Sequence, residues 1–138
     1  MKRITVAVTV DDKMGVAFNK RRQSRDRLLI KDLCEKSCGK IYISNYSAPL
    51  FEGFEDRIII VDDPIKDCED GGLCFLEMTS LEGDIDNVEK LIVYQWNRLY
   101  PSDKKLGVAI EDCGFKMTAK YEFVGNSHDK ITKGIYQK

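Results

Sequence analysis

A single histidine, three prolines and ten glycines among 138 residues leave little room for several classes of protein. One histidine excludes a histidine-cluster metal centre. The scarcity of proline and glycine, set beside 43% hydrophobic and 33% charged residues, excludes collagen-like, low-complexity and largely disordered chains. No apolar run approaches the ~18 residues that span a bilayer. Met1-Lys2-Arg3-Ile4-Thr5-Val6 runs directly into an alternating pattern with no apolar leader, which predicts a soluble, cytoplasmic chain without membrane contact. P-loop and zinc motifs are missing as well.

What is present points to one folded domain over residues 1–138, since a chain of this length buries roughly 68–70% of its unfolded surface. The five cysteines, Cys34, Cys38, Cys68, Cys74 and Cys113, form no C-x-x-C pair, and their odd count argues against a disulfide framework. They read as reduced thiols. Cys34 and Cys38 lie one helical turn apart, but a helical cysteine pair more often packs as small apolar side chains, so no metal is expected.

The net charge of −1 hides an uneven distribution. Residues 1–51 carry eleven Lys/Arg against five Asp/Glu, residues 52–89 two against thirteen, and residues 90–138 nine against five. One electropositive and one electronegative region follow, and a protein that coats nucleic acid uniformly is excluded.

Ile4 to Val10 alternates with apolar or neutral residues on both faces, which predicts a central strand. A turn at Asp11-Asp12-Lys13-Met14-Gly15 and a polar loop through Asn19-Lys20-Arg21-Arg22-Gln23 follow. Ser24 is the expected N-cap of a helix from about Arg25 to Ser37, with Leu29, Leu33, Leu28, Ile30 and Cys34 at helical spacing and Gly39 closing it. Lys40 to Ser44, Arg57 to Val61, Leu73 to Met78, Val88 to Trp96 and Lys130 to Tyr136 read as strands, and Asn45 to Phe51 as a short helix. Phe115, Met117, Ala119, Tyr121 and Phe123 alternate with polar residues, the pattern of a strand with one wet face near a sheet edge. The fold class expected is α/β: a single mixed β-sheet with few helices packed on it.

This order of elements resembles the dihydrofolate reductase-like fold. Val6-Ala7-Val8-Thr9-Val10-Asp11-Asp12-Lys13-Met14-Gly15-Val16-Ala17-Phe18-Asn19 is similar to that family's opening strand, turn and Gly-Ile-Gly-x-Asn loop. Gly39-Lys40-Ile41-Tyr42-Ile43-Ser44 is similar to its second strand, and Tyr100-Pro101-Ser102-Asp103 to its Asp-Thr-x-Phe-Pro segment. The resemblance would set Asp26 near the family's acidic helix residue. The family's Leu-Pro-Trp is replaced by Lys20-Arg21-Arg22 and its Gly-Arg-x-Thr by Ser44-Asn45-Tyr46-Ser47, while Gly71-Gly72 precedes a strand rather than opening a helix. No nicotinamide cofactor and no dihydrofolate reduction are therefore expected. The chain is also similar to short bacterial proteins of which some are called ribonuclease Z, a chemistry that needs the clustered histidines this chain lacks.

Three constellations are candidates for a site. Lys20, Arg21, Arg22, Arg25 and Arg27, with Asn19, Gln23 and Ser24, crowd a helix N-terminus where the macrodipole disfavours cations by a few tenths to ~1 kcal/mol each. A bound phosphate or carboxylate would answer them, as would the acidic stretch 52–89 or solvent. Trp96, Asn97 and Arg98 offer an aromatic plane with polar donors, with a packed rim tryptophan as the alternative; Asn45 and Ser47 stand where the resemblance puts a ligand loop. In Gly125-Asn126-Ser127-His128-Asp129, consecutive Ser, His and Asp cannot form a triad, so a turn is expected, with His128 free to face a ligand. Two readings stay open: a domain for a small anionic, phosphate- or nucleotide-like ligand, or a non-catalytic module for RNA or a partner protein. No catalytic residue is named by the sequence.

Overall fold

The computed structural model describes residues 3–138. Among the described residues, ten strands form two sheets. The main sheet contains β1 (Ile4–Val10), β4 (Ile41–Ile43), β5 (Ile58–Ile60), β6 (Leu73–Leu76), β7 (Val88–Gln95), β9 (Lys116–Phe123) and β10 (Ile131–Gln137), in the order β5-β4-β6-β1-β7-β10-β9. β5, β4, β6, β1 and β7 run parallel, and β10 and β9 close the sheet antiparallel. A small sheet of β2 (Gly15–Phe18), β3 (Arg21–Arg22) and β8 (Lys104–Lys105) stands beside it.

β1 is central because both its faces are needed. Ile4, Val6, Val8 and Val10 enter one core with Leu91, Val93 and Phe115, while Ala7 enters the other with Leu29, Leu33, Phe75 and Tyr94. Each fully buried aliphatic side chain of this kind contributes roughly 1.5–3 kcal/mol. Helix α1 (Arg27–Lys36) buries Leu29, Ile30, Leu33 and Cys34 on the second face, the stripe its spacing predicts. Asp32 fastens the helix to the sheet: the Tyr94 hydroxyl and the Lys133 ammonium both donate to its Oδ2, at 2.7 and 2.9 Å. The short helix α2 (Pro64–Asp67) packs near β6 and β4, and a 3-10 helix spans Asn45–Phe51.

Four expectations need correction. The cap of α1 is Asp26, not Ser24: its Oδ1 accepts from Leu28 N at 3.0 Å. Gly39 does not close the helix, because Ser37 turns extended, donates its N–H to Leu33 O and covers Cys34 O with its hydroxyl. The basic polar loop is a hairpin, in which Asn19 and Lys20 (φ 53° and 59°) form a two-residue left-handed turn and Phe18 pairs with Arg21. Finally, β9 does not keep one face inward. A bulge opposite Ile135/Tyr136 inserts Thr118, so Phe115 packs in one core and Phe123 against the other, while Met117 and Tyr121 stay exposed.

Candidate functional site

Asp11, Ser44, Glu77 and Trp96 each follow the last residues of a parallel strand, and the candidate residues gather at these carboxyl ends. That is where open α/β sheets place ligands. Asp11 first shapes the approach: its carboxylate accepts from Lys13 N and Gly15 N, and Gln23 Nε2 donates to it at 3.0 Å. Burial pushes this carboxyl up, and these donors outweigh it to hold it below the ordinary range.

Asp26 anchors the largest network. Its two oxygens accept from Leu28 N, Asn126 N, Ser127 N and Ser127 Oγ, and from His128 Nδ1 at 3.1 Å. Burial would raise the carboxyl, but the backbone donors of Ser127 and Asn126 and the side chains of His128 and Ser127 hold it at about 2. The fit depends on Gly125, where a Cβ would overlap the Asp26 carboxylate. His128 is 3% exposed, stacked on Trp96 at 4.5 Å and 24°. Its Nε2 lies 2.8 Å from the Tyr100 hydroxyl and 3.3 Å from Ser24 Oγ. The tautomer with its proton on Nδ1 satisfies both sides.

Asp26, His128 and Ser24 thus stand in the order of a nucleophile relay, assembled from residues far apart rather than from the Ser-His-Asp run. Tyr100 holds Nε2 more closely than Ser24 does, and the free space beside Ser24, Thr9, Glu77 and Trp96 amounts to about 10 Å³, no more than one water requires. The network pins the 125–128 loop to the start of α1.

The basic segment divides. The Arg22 guanidinium grips Glu77 through Nε at 2.8 Å and Nη2 at 3.1 Å, lies over the Tyr46 ring at 4.3 Å, and donates to Tyr46 O. Ser47 Oγ donates to the same Glu77 at 2.8 Å. The acidic stretch therefore answers Arg22 from within. Asn19 and Arg21 are exposed on the hairpin, and Arg27 stacks over Phe54 at 5.2 Å. Arg25 makes no ion pair among the described residues. Two of the orphan N–H groups of α1 already have acceptors: Asp26 Oδ1 takes Leu28 N, and Asn126 Oδ1 takes Arg27 N and Leu28 N. An anion is not needed to cap this helix.

Trp96 is not an open platform either. It is 3% exposed and gives a ring face to His128. Asn97 (φ 60°) is exposed but donates to Lys130 O and Thr132 Oγ1; Arg98 is exposed beside it, and Asn45 is exposed at the start of the 3-10 helix. What remains open is a groove of about 400 Å³ between α1 and the 3-10 helix. Arg25, Arg27, Asn126, Ser127 and Glu52 supply its polar wall, and Ile30, Pro49 and Leu50 its apolar one. Of its lining, the sequence singled out Arg25 alone as a binding residue. Asn126 and Ser127 lie in the run the sequence offered as a turn, but their place in this groove follows only from the pairing of that turn with Asp26. No group of three or more metal-ligating side chains occurs among the described residues. No helix there is long and apolar enough to cross a membrane.

The comparisons support the fold. A dihydrofolate reductase from Enterococcus faecalis, solved in complex with NADP(H) and RAB-propyl, superposes with a TM-score of 0.65 over 97% of this chain and 95% of its own, at 10% identity. The chain has the dihydrofolate reductase-like fold. At that identity the likeness extends to architecture alone. No protein-family model and no curated protein matches, so the ribonuclease Z resemblance gains no support. In this dihydrofolate reductase-like chain Gly71 and Gly72 lie at the amino end of β6, at the opposite end of the sheet from the groove.

Proposed function

We propose that the protein binds a small anionic ligand, phosphate- or nucleotide-like, in the groove between α1 and the 3-10 helix. The observation that carries the reading is the pairing of an unanswered cation, Arg25, with a concave apolar wall. Arg25 has no ion-pair partner among the described residues, whereas Arg22 is neutralised by Glu77. A charged head meets Arg25 and Arg27, the side-chain amide N–H groups of Asn126 supply a further contact at the rim, and a planar or aliphatic body rests on Ile30, Pro49 and Leu50. Two carboxylates, Asp26 and Glu52, share this lining with the two arginines, and the Asp26 charge is already surrounded by donors from the 125–128 turn. The role is binding; no residue is assigned a chemical step.

A thermal-shift panel of inorganic phosphate, pyrophosphate, ADP and a short RNA, run on the wild type and on Arg25→Ala, tests this. A ligand at one hundred times its dissociation constant stabilises by about 2.7 kcal/mol, a shift of several degrees for a chain of this size. The expected result is a shift with one of the small anions that Arg25→Ala removes. A flat panel, or a shift that survives the substitution, overturns the reading. A shift with RNA alone favours the interaction module.

A further inference from the structure

The two edges of the main sheet are finished differently. β5 exposes only Ile58–Ile60 and runs into Asp62-Asp63-Pro64, the short, charged, proline-stopped edge that resists pairing. β9 is eight residues long, contains no proline, and has β10 on one side and no strand on the other among the described residues. Large apolar groups lie exposed along it: Tyr121 at 55% and, just past its end, Val124 at 70%. Beyond the Thr118 bulge, residues 119–123 form an uninterrupted run against β10.

We propose that this edge pairs antiparallel with the same edge of a second copy, about a two-fold axis at Tyr121. The charges choose the register. With Tyr121 opposite its own copy, Lys120 faces Glu122 and Glu122 faces Lys120, while Ala119 sits opposite Phe123 twice, small against large. Centring the pair on Lys120 or on Glu122 instead puts like charges directly opposite, which is destabilising. Centring it on Ala119 carries the pairing through the bulge, where Met117 and Tyr121 belong to different faces. Lys120 forms no ion pair among the described residues and is free to meet a partner. Glu122 holds Lys130 through Oε2 at 2.6 Å, and its carboxylate, exposed at the edge, has acceptor capacity left for the partner's lysine. The two sheets then continue as one, and main-chain bonds satisfy the outward groups of both edges.

Sedimentation equilibrium on the full chain tests the pairing, with Lys120→Glu, Glu122→Lys and the double variant alongside. Both positions are exposed, and circular dichroism checks that each variant is folded. The expected result is a concentration-dependent dimer of twice 15.8 kDa. Each single reversal should weaken it roughly tenfold, because two symmetric pairs change sign, and the double reversal should restore it to within about threefold. A monomer at all concentrations overturns the proposal. So does a dimer indifferent to the single reversals, or one that the double variant fails to restore.

Discussion

Asp26 and Glu77 are both buried carboxylates beside the ends of the parallel strands, and the chain satisfies them by different means. Asp26, 2% exposed, is surrounded by backbone N–H groups, a hydroxyl and an imidazole, drawn from the 125–128 turn and from the first turn of α1. Glu77, with a side chain 5% exposed, is met by the Arg22 guanidinium and the Ser47 hydroxyl. Several oriented neutral donors solvate a charge without needing another charge, and they weld two segments into one unit. A guanidinium does the same work with a side chain on a short hairpin, so removing it strands the carboxylate. Arg25, next to Asp26 and three residues past Arg22, is a cation that neither scheme uses.

The largest effect expected from this contrast is at Asp26. Asp26→Ala removes the helix cap and leaves several buried donors without acceptors, for a loss of about 4–5 kcal/mol in urea unfolding. A loss below ~1 kcal/mol would mean that the turn finds other acceptors and that the network is not a unit. Arg22→Ala comes next, at about 2–3 kcal/mol, because it leaves Glu77 charged and unpaired in a largely desolvated place. The double variant Arg22→Ala/Glu77→Gln should recover most of that loss. If it recovers none, the contribution of Arg22 lies in its stacking on Tyr46 rather than in the charge.

The same contrast explains what could be read in advance. β1 was legible because apolar residues on both faces admit only a central position, and α1 because Leu29, Ile30, Leu33 and Cys34 repeat at helical spacing. The cap went to Ser24 because serine and aspartate are equally good local caps; the donors that select Asp26 come from a turn 102 positions away. Arg22 and Glu77 are 55 positions apart, so a helix-proximal cation run carried no sign that one member was already neutralised. The hairpin was hidden because Asn-Lys lacks the glycine that advertises a left-handed turn, and the β9 bulge because alternation in sequence is blind to a ladder that slips. Local periodicity specifies elements. The site is made from pairings between distant elements, and those leave no local trace.

Acid tests the Asp26 network directly. Asp26 titrates at about 2 in the folded protein against 3.8 for an unperturbed aspartate, so the folded state holds fewer protons than the unfolded one between these values. Its contribution is complete above about pH 4 and is lost as pH falls toward 2. The stability gap between wild type and Asp26→Asn should therefore narrow over that window and be constant above pH 5. Denaturant titrations at half-unit intervals read this directly. A gap that stays constant down to pH 2 would mean that the folded carboxyl is not held low.

Arg25→Ala carries the smallest expected change in stability. An exposed arginine without an ion-pair partner among the described residues contributes within about 0.5 kcal/mol of nothing to folding, since its charge is solvated and its removal opens no cavity. That neutrality makes the variant informative. Arg22→Ala would alter ligand binding only together with stability, because the hairpin and Glu77 move with it, whereas Arg25→Ala should leave urea unfolding unchanged and still lower affinity for a small anion about tenfold or more. The loss should shrink as salt rises, because screening weakens a solvent-accessible charge contact in the wild type. If Arg25→Ala instead destabilises the protein by more than ~1 kcal/mol, the arginine has an internal partner in solution, and the division of the basic segment into a neutralised Arg22 and a free Arg25 fails.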